Sequence, residues 1–152
     1  MLARSYLKVI PTPEFRPTPS QVDPYAQVYV VQGDPVPLAR ARSSGNRMYD
    51  SQKNIKQFIR ISLEGQHNQQ MYKGPVILDI RFYLELPKRK MHPHHTPLGP
   101  HFFKPDLSNL IKMYEDVCTG LLLQDDAQIA TIIAHKYYDY VPRTEFSIIE
   151  IK

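Results

Sequence analysis

The sequence predicts an α+β fold: a small mixed sheet, with elements in the order β-α-β-α-β-β, and two helices packed on it. Three observations carry this. The 14 prolines avoid residues 38–74 and 106–141; proline breaks helix interiors and central strands, so regular elements belong in those stretches. Helical periodicity appears once in each stretch. Between them, Val76 to Leu86 alternates strictly, the signature of a strand with one buried face. Helices interleaved with strands, and two strands in succession at the end, indicate helices on one face of a sheet.

Each element follows from its own residues. Residues 1–24 carry five prolines and read as an extended, proline-rich arm, leaving 25–152 as one domain. Gln27–Val31 is a β-rich run that ends in the turn Gly33-Asp34-Pro35-Val36-Pro37. A basic loop with Arg40, Arg42 and Arg47 follows. Asp50 or Ser51 is a fitting N-cap for a helix to about Glu64, with Gly65 as C-cap. Ile55, Phe58, Ile59 and Leu63 form its apolar stripe, and Lys53, Lys56 and Arg60 its opposite face. In the strand 76–86, Val76, Leu78, Ile80, Phe82, Leu84 and Leu86 point to the core, while Ile77, Asp79, Arg81, Tyr83 and Glu85 form a mixed, polar face. Residues 87–105 make a long loop, and long loops in compact domains are often functional. A second helix spans about Asp106–Thr119, with Leu107, Leu110, Ile111, Tyr114, Val117 and Cys118 inward and Gly120 ending it. Leu121–Leu123 re-enter the core. Strands at about 128–138 and 144–151, expected as antiparallel neighbours, close the chain.

Composition excludes several classes. No stretch approaches the ~18 consecutive apolar residues of a membrane span. The first residues show no apolar signal-peptide core. One cysteine, Cys118, forms neither an internal disulfide nor a cysteine-based zinc site, which fits an intracellular protein.

The net charge of +4 hides a division. Residues 1–39 are neutral, 40–104 carry +8 and 105–152 carry −4. A basic block suits a polyanion such as nucleic acid. An acidic block beside it repels that polyanion unless its carboxylates hold cations. Asp106, Asp116, Asp125 and Asp126 lie on the second helix and the turn after it. Mg²⁺ takes hard oxygen ligands, often one or two carboxylates with waters and phosphates, and a bound metal activates water and stabilises a leaving oxygen. The structural alternative makes Asp106 a plain N-cap, Asp116 a partner for Lys112, and Asp125-Asp126 a turn. In the long loop, Lys88, Arg89, Lys90 and Lys104 accompany Phe102-Phe103. Such aromatics stack on or wedge between bases, or they anchor the returning loop in the core. The loop histidines, His92, His94, His95 and His101, match no zinc spacing and read as polar loop residues.

The run Lys104-Pro105-Asp106-Leu107-Ser108-Asn109-Leu110-Ile111-Lys112, then Asp116-Val117-Cys118-Thr119-Gly120, then Asp125-Asp126-Ala127-Gln128-Ile129, resembles the RusA family of Holliday junction resolvases. The opening turn at 33–37, Arg40, Arg42 and Tyr49-Asp50 agree with that family, and the resemblance covers about residues 27–150. It implies a RusA-like nuclease domain at 25–152. It also implies a dimeric, Mg²⁺-dependent endonuclease, with Mn²⁺ as a substitute, that cuts four-way DNA junctions by paired nicks. Bacterial cytoplasm, or a phage or prophage gene, is the implied setting. Carried over residue by residue, Asp106 and Asp126 become metal ligands and catalytic acids, with Asp125 assisting. Lys112 stands near the scissile phosphate, and Asn109 positions. Arg40, Arg42, Arg47, Lys53, Lys88, Arg89, Lys90 and Lys104 are the candidate DNA contacts, and Asp116 and Ser108 are supporting positions.

Ser108 departs from the family pattern, which has aspartate there. A hydroxyl is neutral and a weaker Mg²⁺ ligand. Either Asp116, Asp125 or Glu85 substitutes, or water fills the position at lower metal affinity, or the protein binds branched DNA and cuts it poorly. The rival readings are therefore a catalytically weakened junction-binding protein and an interaction module whose acids are only caps and turns.

Overall fold

A computed structural model of the chain describes residues 16–40 and 42–152; the first fifteen residues of the expected arm lie outside this range. The elements are β1 (Tyr29–Gln32), β2 (Arg42–Ser44), β3 (Arg47–Tyr49), α1 (Lys53–Glu64), β4 (Val76–Glu85), α2 (Leu107–Cys118), one 3-10 turn (Asp126–Gln128), β5 (Ile129–Asp139) and β6 (Arg143–Glu150). The α+β class is as expected, with two helices on a mixed four-stranded sheet of order β1-β6-β4-β5. Alternation along β4 places Val76, Leu78, Ile80 and Phe82 in one core. Tyr29 and Val31 of β1, Phe146 and Ile148 of β6, Ile59 and Leu63 of α1, and Leu110, Met113, Tyr114 and Val117 of α2 complete it.

The last two strands are not neighbours. β5 pairs parallel with β4, while β6 pairs antiparallel with the other side of β4. The short connection 140–142 crosses the end of β4 instead of closing a hairpin. A mixed sheet results because β4, apolar on its helix-facing side and buried on both sides, takes the centre.

The polar face of β4 is not solvated. Asp79, Arg81 and Tyr83 are buried, because residues 18–22 run across them. Ser20 Oγ donates to Asp79 Oδ2 at 2.7 Å, and the Gln21 amide donates to the same oxygen at 2.8 Å. Arg81 donates to the Pro19 carbonyl at 2.6 Å, and Thr18 N to Glu145 Oε2 at 2.7 Å. Burying these charges is tolerable because each is hydrogen-bonded or ion-paired. Arg143 completes the layer, bonding Glu145 and Asp139 at 2.7 and 2.8 Å and lying 3.8 Å from the centre of the Tyr83 ring.

Two further expectations change. The basic loop is a two-stranded ribbon, β2 against β3, turning at Gly45 with φ 61. The apolar stripe of α1 is only half buried: Ile59 and Leu63 face the core, but Phe58 is 60% exposed and Ile55 38%. The N-cap of α1 is Gln52, whose side chain braces the preceding loop through the Ala39 amide (2.7 Å) and the Pro37 carbonyl (2.9 Å). No helix among the described residues is long and apolar enough to cross a membrane.

Candidate functional site

Helix α2 sets out the site. With Leu110, Met113, Tyr114, Val117 and Cys118 buried, helical spacing leaves Ser108, Lys112, Glu115 and Thr119 as one outward stripe. Beyond α2, Gly120 adopts φ 81, a left-handed backbone that only glycine takes readily. Leu122 and Leu123 then plug into the core. This reversal brings Asp125 and Asp126 back beside the end of α2. Asp125 is spent locally: its carboxylate accepts from the Ala127 amide at 2.7 Å, and Gln128 Oε1 accepts from the Asp125 amide at 3.1 Å. This is a capping box, two amides satisfied reciprocally. Gln128 also donates to the Gly74 carbonyl at 2.9 Å, tying the turn to the entry of β4.

Asp126 is free of that cap and lines a cleft of about 460 Å³ with Leu38, Arg60, Lys112, Glu115, Asp116 and Thr119. Burial raises the pKa of Glu115, the negative charge of Asp126 raises it further, and Lys112 opposes the shift. Of the three carboxylates lining the cleft, Glu115 and Asp126 therefore stand closely enough to repel. Arg60 donates to the carbonyls of Asp116 and Thr119, both at 3.2 Å, placing a cation at the negative end of α2. Asp116 pairs not with Lys112 but with Lys56, at 2.8 Å, and Lys56 also bonds Asp50 at 2.6 Å. Desolvation lowers the Lys56 pKa, but its bonds to Asp116 and Asp50 outweigh it and the net shift is upward. The basic face of α1 is thus partly committed to α2, while Lys53 stays exposed.

Asp106 lies at the other end of α2. It precedes Glu115 by nine residues, which is ~13 Å along a helix axis. It occupies the N-cap position, yet its carboxylate bonds Lys104 Nζ at 2.6 Å instead of the helix amides. That bond holds the Asp106 carboxyl below the usual range. The expected ligands are thus spread along the helix: Asp126 in the cleft, Asp125 in its cap, Asp106 at the N-terminus. Among the described residues no group of three or more His, Cys, Asp or Glu side chains forms a metal-binding arrangement. The donor chemistry of the cleft still suits a hard cation, since Mg²⁺ commonly takes one or two carboxylates and completes its shell with water and phosphate.

Ser108 is exposed on the same stripe as Lys112 and Glu115, and the Asn109 carbonyl accepts from the Leu38 amide at 2.9 Å. Arg40, Arg42, Arg47, Lys88, Arg89, Lys90 and Lys104 are all exposed, as phosphate contact requires. Sequence reasoning missed Glu115, although its spacing of seven from Ser108 and three from Lys112 puts it on their face. Phe102 and Phe103 are not core anchors: they are 51% and 54% exposed. The loop is anchored instead by Leu98–His101, whose backbone bonds Tyr138 and Lys136 on the edge of β5.

Comparison with known proteins gives the same direction. An uncharacterized protein, YqaN, of Bacillus subtilis (strain 168) is 28% identical over 135 residues, covering 81% of this chain and 95% of the relative. The family described as Endodeoxyribonuclease RusA matches residues 32–149, which take in the end of β1, the ribbon, α2, the capped turn and most of β6. The chain belongs to the RusA endodeoxyribonuclease family.

Proposed function

We propose that the protein is a divalent-metal-dependent, structure-selective DNA endonuclease that resolves four-way junctions by paired nicks, working as a homodimer in the cytoplasm and encoded by a bacterium, phage or prophage. One observation carries this reading beyond family membership: Lys112 and Asp126, distant in sequence and both family-motif residues, line one cleft. The exposed basic side chains would hold the phosphates around it. Lys112 would steady the scissile phosphate. Asp126 and Glu115 would hold the cation, and their mutual repulsion is what a cation would relieve. Bound Mg²⁺, or Mn²⁺, would supply Lewis-acid chemistry, activating water and stabilising the leaving oxygen. A symmetric pair of such sites matches the two opposed strands of a junction.

A second reading has its own support. Ser108 supplies no carboxylate, and Asp106 is held by Lys104. These favour a protein that binds branched DNA and cuts it slowly. Incubating the protein with a labelled four-way junction and a linear duplex, with and without Mg²⁺ or Mn²⁺, separates the two. Symmetric nicks lost in Asp126→Asn support the enzyme. Tight junction binding without nicks at any metal concentration leaves the binder.

A further inference from the structure

Seven rings gather at the outer end of the sheet, in a cluster the cleavage chemistry does not use. Phe102 and Phe103 lie 4.3 Å apart between centroids, inclined at 33°. His92 packs on Phe102 at 4.8 Å, and His94 meets it edge-on at 6.1 Å. His95 and His101 flank Phe103 at 6.4 and 6.5 Å, and both rest on Tyr138, at 5.1 and 4.5 Å. The histidines and Tyr138 thus form a floor, while the two phenylalanines remain about half exposed. Burying them within this chain would have been the default for two adjacent large apolar rings, so their exposure asks for a partner.

The surroundings say which partner. Lys104 follows Phe103 directly and its side chain is 84% exposed. Lys136 Nζ donates to the carbonyls of Phe103 and Pro105, at 2.6 and 2.7 Å, fixing the segment that joins the rings to Asp106. Lys88, Arg89 and Lys90 stand exposed at the start of the same loop. An exposed apolar pair followed directly by Lys104, on a loop that opens with three exposed cations, is mismatched to another apolar protein surface. It matches a flat ring carried on an anionic backbone. Phe102 also lines an open recess of about 320 Å³ with His92, His94 and Pro100.

We propose that Phe102 and Phe103 form a stacking platform for a nucleobase that has lost its stacking neighbour at the branch point of the DNA, with Lys104 exchanging its bond to Asp106 for the adjoining phosphate. The inference rests on the endonuclease reading and adds how branched DNA is told from duplex. In a linear duplex every base is already stacked, so the platform has nothing to receive. At a branch the continuous stack is interrupted and a base face is available, and stacking on an aromatic side chain is sequence-tolerant. Only Lys104 and Pro105 separate Phe103 from Asp106, so an engaged base would fix the strand beside the N-terminus of α2.

The test uses the full chain in Mg²⁺-free buffer, so that cutting does not enter. Junction and linear-duplex affinities are measured for the wild type, Phe102→Leu, Phe103→Leu, the double Leu variant and Phe103→Tyr. 2-Aminopurine placed at the branch, or in an arm, reports stacking by its fluorescence. The double Leu variant should lose junction affinity by about 5- to 150-fold, the worth of one stacked base, while duplex affinity changes less than about twofold. Phe103→Tyr should retain junction preference. Branch-site fluorescence should be quenched by the wild type and not by the double Leu variant. Junction affinity unchanged in the double Leu variant, or lost equally for duplex, overturns the platform and leaves the nuclease reading standing. A wild type that binds neither DNA overturns both.

Discussion

Ser20 Oγ donates to Asp79 Oδ2 at 2.7 Å, joining the proline-rich leading segment to the middle of the central strand. Asp79 also accepts from the Gln21 and Val22 amides at 2.8 and 3.3 Å and pairs with Arg81 at 3.3 Å. Both charged side chains are almost wholly buried. The arm is therefore what makes a charged sheet face possible.

The energetic consequence differs between the two partners. Ser20→Ala removes one neutral-to-charged hydrogen bond and the acceptor of the Val22 and Asp23 amides, and leaves two amides on Asp79; the expected cost is ~1–3 kcal/mol. Asp79→Ala leaves the Arg81 guanidinium buried without its anion, for which ~3–5 kcal/mol is expected. Urea denaturation of both variants measures this. A cost below about 1 kcal/mol for Asp79→Ala would mean that the strap does not seal the face.

Lys56 links three elements, holding Asp50 before α1 and Asp116 at the end of α2. Because the pairs are half-exposed, Lys56→Met should lower Tm only by about 2 °C. The effect on cations should be opposite. Asp116 then keeps its charge in the cleft without a partner, so added Mg²⁺ should raise Tm more in the variant than in the wild type. Thermal melts across a Mg²⁺ series decide it, and equal shifts would show that Asp116 does not face the bound ion.

Glu115 gives a pH dependence with a definite sign. Burial, then the charge of Asp126, raises its pKa in the folded chain. The folded state thus holds the proton more tightly than the unfolded state. Stability from this group is fully present below the unfolded pKa and is lost as pH rises through the folded one. Glu115→Gln removes the penalty, so the variant should melt above the wild type at neutral pH, and the gap should close on acidification. Saturating Mg²⁺ should also close it, from the wild-type side. A gap independent of both pH and Mg²⁺ would point to packing instead of charge.

Much of this was readable in the chain, for physical reasons that differ by element. β4 and α2 were legible because each buries one face completely, and burial imposes a period on the sequence. The turn at Asp125-Asp126 was legible, but the cap that Asp125 and Gln128 form within it was not read from the chain. The β2–β3 ribbon was not, since residues 42–49 are exposed throughout and leave no apolar pattern. Nor was the burial of Asp79 and Arg81, because charged residues on a strand read as solvent-facing until the strap's amides and carbonyls are seen. Within the site, Lys112 was named through the family motif, but Glu115, one turn further along the same face, carries no motif and was not. The placement of Asp106 and Asp126 at opposite ends of α2 was equally hidden, since sequence distance between the start of a helix and the turn beyond its end does not fix which residues face each other.

Ser108→Asp tests the family's missing carboxylate with two separable readouts. The first turn of α2 holds no acidic residue. A carboxylate there faces the positive end of the helix, which favours it by ~0.3–1 kcal/mol, and exposure keeps the value near the lower figure. Asp106, two residues earlier, repels it, although the bond from Lys104 offsets part of that repulsion. A small gain in Tm without metal is therefore expected whatever the activity. The functional effect is distinct: a second acid between Asp106 and Lys112 should lower the Mg²⁺ concentration needed for junction nicking, or raise the rate at fixed Mg²⁺. Stability gained with an unchanged metal requirement would mean that position 108 only caps a helix. A lower metal requirement without a change in Tm would place the new carboxylate on the cation and away from the helix amides.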